Sequence, residues 1–272
     1  MSFRAVFATQ SVSRRKSRFL TSFARSVTSE SPDLKSEIVE MIYEVGTRSK
    51  VYCIENAGNA RVFFVGVPEY TLIDAGVPGK ADKILSALAQ IGVQPLQVKR
   101  IILTHHHWDH VGSLWELKKR TGAEIIAHLR DAEYITGKRV RRAPRRALGR
   151  IVYSLFTLFG AQDVQSVDVD RRVNDGDRIG GFIVVHTPGH TPGHICLLRD
   201  GYLFSGDLLQ ATAGEFRETA HIFTADVPTS RASIRRVAEL EFQFILSAHH
   251  PPHVFGSADK VRALAHKLGT MP

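Results

Sequence analysis

Apolar and polar positions recur with two different periods along this chain. Val51-Tyr52-Cys53-Ile54, Arg61 to Val67 and Tyr70 to Asp74 are short apolar-rich runs separated by Asn/Gly or Pro turns, a pattern that predicts three strands. Asp74-Ala75-Gly76 closes this antiparallel unit. From Ala81 to Ile91 the period changes. Ile84, Leu85, Leu88 and Ile91 recur at helical spacing and the run stops at Gly92, as an amphipathic helix does. A buried strand over Arg100 to Leu103, a helix over Ser113 to Arg120, a strand over Glu124 to Ala127 and a short helix from Arg130 are expected next. Folded structure is expected from about Glu37.

The segment from Lys138 to Phe159 breaks the rhythm. A basic stretch interrupted by Pro144 leads into the aromatic run Ile151 to Phe159, which reads as an insertion over the surface beside the active-site mouth. Strands are then expected over Ser166 to Val169, Asp177 to His186, His194 to Arg199 and Tyr202 to Ser205. A helix over Arg231 to Leu240, a strand over Phe242 to Ser247 and a helix over Ser257 to Leu268 complete the chain. The second half thus repeats the scheme of the first: strands, then helix, strand, helix. Two such halves predict an α/β fold, with sheets packed face to face and helices outside, in a four-layer αβ/βα sandwich.

Composition adjusts this picture in two places. The 272 residues are 43% apolar, enough for a substantial core, and the net charge is +9. The charge is local. Residues 1 to 29 hold Arg4, Arg14, Arg15, Lys16, Arg18 and Arg25 with no acid, and residues 138 to 150 hold Lys138, Arg139, Arg141, Arg142, Arg145, Arg146 and Arg150 with no acid. Without those segments the balance is slightly acidic, which argues against a dedicated nucleic-acid binder. Residues 1–36 are expected to be a basic, disordered N-terminal extension, leaving 37–272 as the folded domain. A cytoplasmic location follows, with an organelle matrix as the alternative if residues 1–29 are a transit peptide. The insertion at 138–160 is a candidate for peripheral contact with an anionic membrane. Cys53 and Cys196 lie in apolar runs and read as buried small hydrophobes. Oligomeric state is left open.

Thr104-His105-His106-His107-Trp108-Asp109-His110 follows the apolar run Ile101-Ile102-Leu103, and no packed core favours so many imidazoles. On an extended backbone His105, His107 and Asp109 point one way, and a turn into the next helix brings His110 to the same site. His106 then faces away. Imidazole nitrogen and carboxylate oxygen suit zinc, iron or manganese. Three further apolar strands end in the same manner, before Thr187-Pro188-Gly189-His190, in Ser205-Gly206-Asp207 and in Ser247-Ala248-His249. Core packing does not explain four strands that each deliver a ligand type at the C-terminal end.

Together, T-H-H-H-W-D-H, T-P-G-H-T-P-G-H, F-S-G-D and S-A-H-H-P-P resemble the metal motifs of the metallo-β-lactamase superfamily, in that family's order. The resemblance runs from about Val51 to Pro252. It implies an αββα sandwich with two divalent metal ions, zinc first and iron or manganese as alternatives, in the cleft between the halves. By the same resemblance His105, His107 and His190 are ligands of one metal, Asp109, His110 and His249 of the other, and Asp207 bridges them. His249 is preferred over His250. Asp109 is also a candidate catalytic group that orients the nucleophile or carries a proton, and Asp74 matches the family's D-x-G turn as a residue that fixes ligand orientation. A hydroxide between the metals would attack an electrophilic centre.

The stretch T-P-G-H-T-P-G-H-I-C is similar to that of glyoxalase II, the hydroxyacylglutathione hydrolases. This favours a small-molecule thioester or ester as substrate. Two features depart from that family: the ending S-A-H-H-P-P, and the 23 residues after His249, too few for the helical glutathione-binding domain. Lactonase, β-lactamase and phosphodiesterase are the alternatives that share the site. A metal-binding regulatory scaffold is the alternative outside enzymes.

Overall fold

The computed structural model describes residues 42–46, 49–55, 57–140, 164–212, 215–249, 253–254 and 257–269. All of them belong to one unit, Glu40–Pro272. The expected N-terminal extension, most of the 138–160 insertion and His250 lie outside the described residues.

Two sheets carry the fold. In the first, β1 (Ile42–Gly46), β2 (Val51–Ile54), β3 (Val62–Val65) and β4 (Thr71–Ile73) pair antiparallel, and β5 (Arg100–Ile102), β6 (Glu124–His128) and β7 (Arg171–Val173) extend the sheet in parallel. In the second, β8 (Arg178–Ile179), β9 (Phe182–His186), β10 (Ile195–Arg199) and β11 (Tyr202–Gly206) form an antiparallel meander. There β14 (Phe244–Ser247) adds in parallel to β11, and β15 (His253–Val254) closes the edge. A separate hairpin joins β12 (Leu209–Thr212) and β13 (Glu215–Glu218).

Side-chain alternation sorts the strands into three apolar layers. Val51, Cys53, Phe63, Val65, Ile73, Ile102 and Ile126 meet Phe182, Val184, Ile195, Leu197, Phe204 and Leu246 between the sheets. Phe63 of the first sheet and Phe182 of the second both meet Phe204 edge-on, at 5.6 and 5.8 Å between centroids. The opposite faces of the same strands pack outward. Ile54, Phe64, Leu72, Ile101 and Ile125 join Ile84 and Leu88 of α1 (Ala81–Gln90) and Leu114 and Leu117 of α3 (Leu114–Thr121). Cys196, Leu203 and Ile245 join Ile234 and Val237 of α5 (Val227–Ala238) and Val261 of α6 (Ser257–Gly269). The order helix, sheet, sheet, helix is the expected four-layer sandwich, and both cysteines are buried in it. Among the described residues no helix is long and apolar enough to cross a membrane.

Several boundaries differ from expectation for local reasons. The run Asp177 to His186 is a hairpin, β8 and β9, because Gly180 and Gly181 both take positive φ (51° and 91°), as a two-residue hairpin turn demands. Ser166 to Val169 is not a strand. The pairing with β6 starts two residues later at Arg171, while Val167 packs on the outer core. Helix α5 begins four residues before Arg231, with the Asp226 carboxylate accepting the Thr229 N–H (3.1 Å) and Pro228 in the first turn, where proline has no hydrogen bond to lose. The polarity of Pro228-Thr229-Ser230 had masked that turn.

β9, β11 and β14 run in one direction, so their C-terminal ends share one edge of the second sheet. Two backbone hydrogen bonds join that edge to the first sheet: Ile195 N–H to the Thr104 carbonyl (2.9 Å) and Arg61 N–H to the Ala248 carbonyl (2.7 Å). The four motif-bearing strand ends converge there.

Candidate metal centre

β5 ends at Ile102, and the chain from Leu103 to His107 is an irregular loop leading into the single turn α2 (Trp108–Val111). The histidines therefore do not share a strand face as the extended reading assumed. The helical turn separates Asp109 and His110 from His105 and His107, and two clusters form. His105, His107, His190 and Asp207 bring potential ligand atoms within 4.8 Å of one another, and so do Asp109, His110 and His249.

In the first cluster Nε2 of His190 lies 3.2 Å from Nε2 of His105 and 2.9 Å from Nδ1 of His107. Burial, and then crowding by neighbouring imidazoles, holds the pKa of His105 and His107 well below the usual histidine range. Burial pushes His190 down to about 3. The rings are neutral, and their lone pairs are available to a cation.

The second cluster is more acidic. Nε2 of His249 lies 3.1 Å from Asp207 Oδ1 and 3.5 Å from Asp109 Oδ2, and Nε2 of His110 lies 3.3 Å from Asp207 Oδ1. Burial opposes charge on His110, but Asp74, Asp207 and Asp109 outweigh it and raise its pKa well above the usual value. Burial likewise opposes charge on His249, and Asp207 overcomes it. Burial also opposes ionisation of Asp207, yet His110 and His249 hold its carboxyl well below the usual range. For Asp109 burial wins, and its pKa is raised.

These donors fit a bound cation. His110 Nε2 and Asp207 Oδ1 are buried and 3.3 Å apart, but neither makes a hydrogen bond of good geometry among the described residues, and polar atoms so placed are costly unless something satisfies them. The far side of each second-cluster ring is also fixed. His110 Nδ1 pairs with Asp74 Oδ2 (2.8 Å), and His249 Nδ1 with the Asn59 carbonyl (2.9 Å), so each ring turns its Nε2 inward. Asp74, at φ 65°, also accepts from the backbone N–H (2.7 Å) and hydroxyl (2.8 Å) of Thr104.

The remaining histidines sort by partner. His194 is buried, receives the Asp207 N–H on Nε2 (3.1 Å) and contacts Thr187 Oγ1 through Nδ1 (2.8 Å), so it supports Asp207 from behind. Burial lowers its pKa to about 4. His106 turns away from both clusters toward Asp131. His186 stacks on His128, and His221 pairs with Glu218. Two residues of this region escaped the sequence reading, Asn59 and Asp131. Asn59 contributes a backbone carbonyl, which leaves no mark on residue type. Asp131 was hidden in an ordinary amphipathic helix.

The family model for the metallo-β-lactamase superfamily matches residues 58–257. The chain belongs to that superfamily. A probable metallo-hydrolase of Bacillus subtilis, YflN, is 32% identical over 214 residues, covering 71% of this chain and 81% of that protein. The hydroxyacylglutathione hydrolase of Erwinia tasmaniensis is 33% identical over 136 residues, 48% of this chain and only 40% of that enzyme's length. A protein solved in a di-iron-bound form has 25% identity and a TM-score of 0.57, covering 74% of this chain and 93% of that one. This superfamily member is a metallo-hydrolase with an α/β sandwich and a His/Asp cluster able to hold metal.

Proposed function

We propose that this metallo-hydrolase binds two divalent cations, zinc by preference, and hydrolyses a small-molecule thioester or ester. In this reading His105, His107 and His190 hold one cation, Asp109, His110 and His249 hold the other, and Asp207 touches both. The observation that carries it is the position of the Asp207 carboxylate between the clusters. Its Oδ1 lies 3.3 Å from His110 Nε2 and 3.1 Å from His249 Nε2, and its Oδ2 lies 3.2 Å from His249 Nε2, 3.4 Å from His190 Nε2 and 4.0 Å from His105 Nε2. One carboxylate within reach of histidines from both clusters is what a bridging ligand requires.

Cations so placed would acidify water to a nucleophile near neutral pH and polarise the bond under attack. The chain's own groups do the rest. Asp74 and the Asn59 carbonyl fix the tautomers of His110 and His249. Asp109, whose Oδ2 lies 3.5 Å from both His249 Nε2 and Asn59 Nδ2, is placed to orient the nucleophile or pass a proton at the second cluster. Among the seven residues His107 and His249 are half-buried and the other five are buried, so the centre opens towards these two side chains.

The hydroxyacylglutathione hydrolase relatives support a thioester, over the half of this chain they match. The test is a hydrolysis panel on zinc-loaded and iron-loaded protein: S-lactoylglutathione, an acyl-CoA, a homoserine lactone, nitrocefin and bis-p-nitrophenyl phosphate. Thioester turnover well above the others is expected. Selective turnover of the lactone, nitrocefin or the phosphodiester would overturn the substrate class while leaving the hydrolase standing.

A further inference from the structure

His106 stands between two residues of the first cluster and belongs to neither cluster. Its Nδ1 lies 2.8 Å from Asp131 Oδ2, and its ring stacks on Tyr134 at 4.2 Å and 9°. Asp131 lies in α4 (Leu129–Ile135) and is 1% exposed. The same Oδ2 accepts the His106 backbone N–H (3.0 Å) and the Thr191 hydroxyl (2.7 Å), and Oδ1 accepts the Gly193 N–H (2.7 Å). Burial works against ionisation here, but His106, Thr191 and Gly193 outweigh it and hold the carboxyl below its usual range. Thr191 directly follows His190. One carboxylate thus ties the backbone midway between His105 and His107 to the loop that carries His190. The fit is close: a Cβ at Gly193 would lie 2.5 Å from the Asp131 nitrogen and 2.6 Å from Oδ1, so only glycine lets the loop seat on the carboxylate.

We infer that Asp131 is a positioning residue of the centre, which sets the spacing between the His105–His107 loop and the His190 loop and thereby the affinity and geometry of the first cluster. The second cluster, pinned by Asp74 and the Asn59 carbonyl, does not depend on it. This inference rests on the two-cation reading above. Outer partners of metal ligands are worth about 10–100-fold in affinity, and Asp131 acts on two ligand loops at once.

The experiment is a cobalt(II) titration of metal-free full-length protein, read by visible absorption, for wild type, Asp131→Asn and Thr191→Val. Asparagine keeps the shape but turns one acceptor oxygen into a donor facing donors. In Asp131→Asn one equivalent is expected to bind as in wild type, while the other weakens by about 10–100-fold with an altered spectrum. Thr191→Val, which removes one arm and keeps the carboxylate, should change the same equivalent by less. If Asp131→Asn does not fold, Thr191→Val decides by itself. Wild-type affinity and spectrum in the variants, whatever their thermal stability, would overturn the inference, and so would equal weakening of both equivalents. Failure of the wild type itself to take two equivalents would overturn the two-cation reading, and is seen before any variant is made.

Discussion

The two halves of the centre share Asp207 but solve the problem of a buried polar cluster in opposite ways. His105, His107 and His190 are neutral rings held by two loops from different sheets, with His105 and His190 fully enclosed. Asp109, His110 and His249 set a carboxyl against two imidazoles whose pKa values are raised by their acidic neighbours, and His249 reaches the surface. A buried imidazole cluster avoids an uncompensated charge by staying unprotonated, as desolvation dictates. A cluster with carboxylates keeps its charges paired. The first half is therefore organised by what lies behind it, and the second by what lies behind it together with the carboxylates across from it.

The largest effect should come from the residue the halves share. Asp207→Ala is expected to lower hydrolysis by roughly 10³-fold, the scale of several kcal/mol of transition-state stabilisation, and to weaken both cation sites. Weakening of one site alone would break the symmetry assigned to Asp207. Asp74→Asn comes next. It should weaken the second cation by about 10–100-fold and the first by less, through the Thr104 hydroxyl that Asp74 holds 3.1 Å from His105 Nδ1; equal loss at both sites in a two-site titration would erase the distinction between the halves.

Acid should act on the first half through α4. His128 caps that helix by accepting the Arg130 N–H on Nδ1 and stacks on His186 at 4.0 Å. Burial and His186 push its pKa down to about 4, with Arg130 adding to this and Asp131 and Asp175 opposing. The unfolded chain protonates its histidines near pH 6.5. Between about pH 6.5 and 4 it therefore binds more protons than the folded chain, and stability falls as pH falls through that window. His128→Asn keeps a capping oxygen and should make the fall in melting temperature of metal-free protein shallower; an unchanged slope would remove His128 from the account. Asn59→Ala should have the smallest effect, a loss of activity below about tenfold. It removes an amide 3.5 Å from Asp109 but keeps the carbonyl that holds His249.

The parts of this design that were legible in the sequence are those written in residue type. The strands β2 to β6 and β9 to β11 carry short apolar runs bounded by turn residues, and the seven expected ligand residues fall into the two clusters of the structure. What was not legible depends on geometry between distant segments. A strand-face argument grouped Asp109 with His105 and His107, but the single turn of α2 moves it beside His110 and His249. The β12–β13 hairpin and the early start of α5 were hidden by turn and proline positions that permit regular structure without announcing it. Asp131 is one carboxylate among several on helices. Its role appears only when the Thr191–Gly193 loop closes on it.

Metal content is the most direct test of the central claim. Elemental analysis of metal-loaded wild type should find two cations per chain, and His107→Ala and His249→Ala should each retain close to one, lost from opposite halves. A wild-type stoichiometry of one, unaffected by loss of Asp109 or His249, would contradict the two-cluster account.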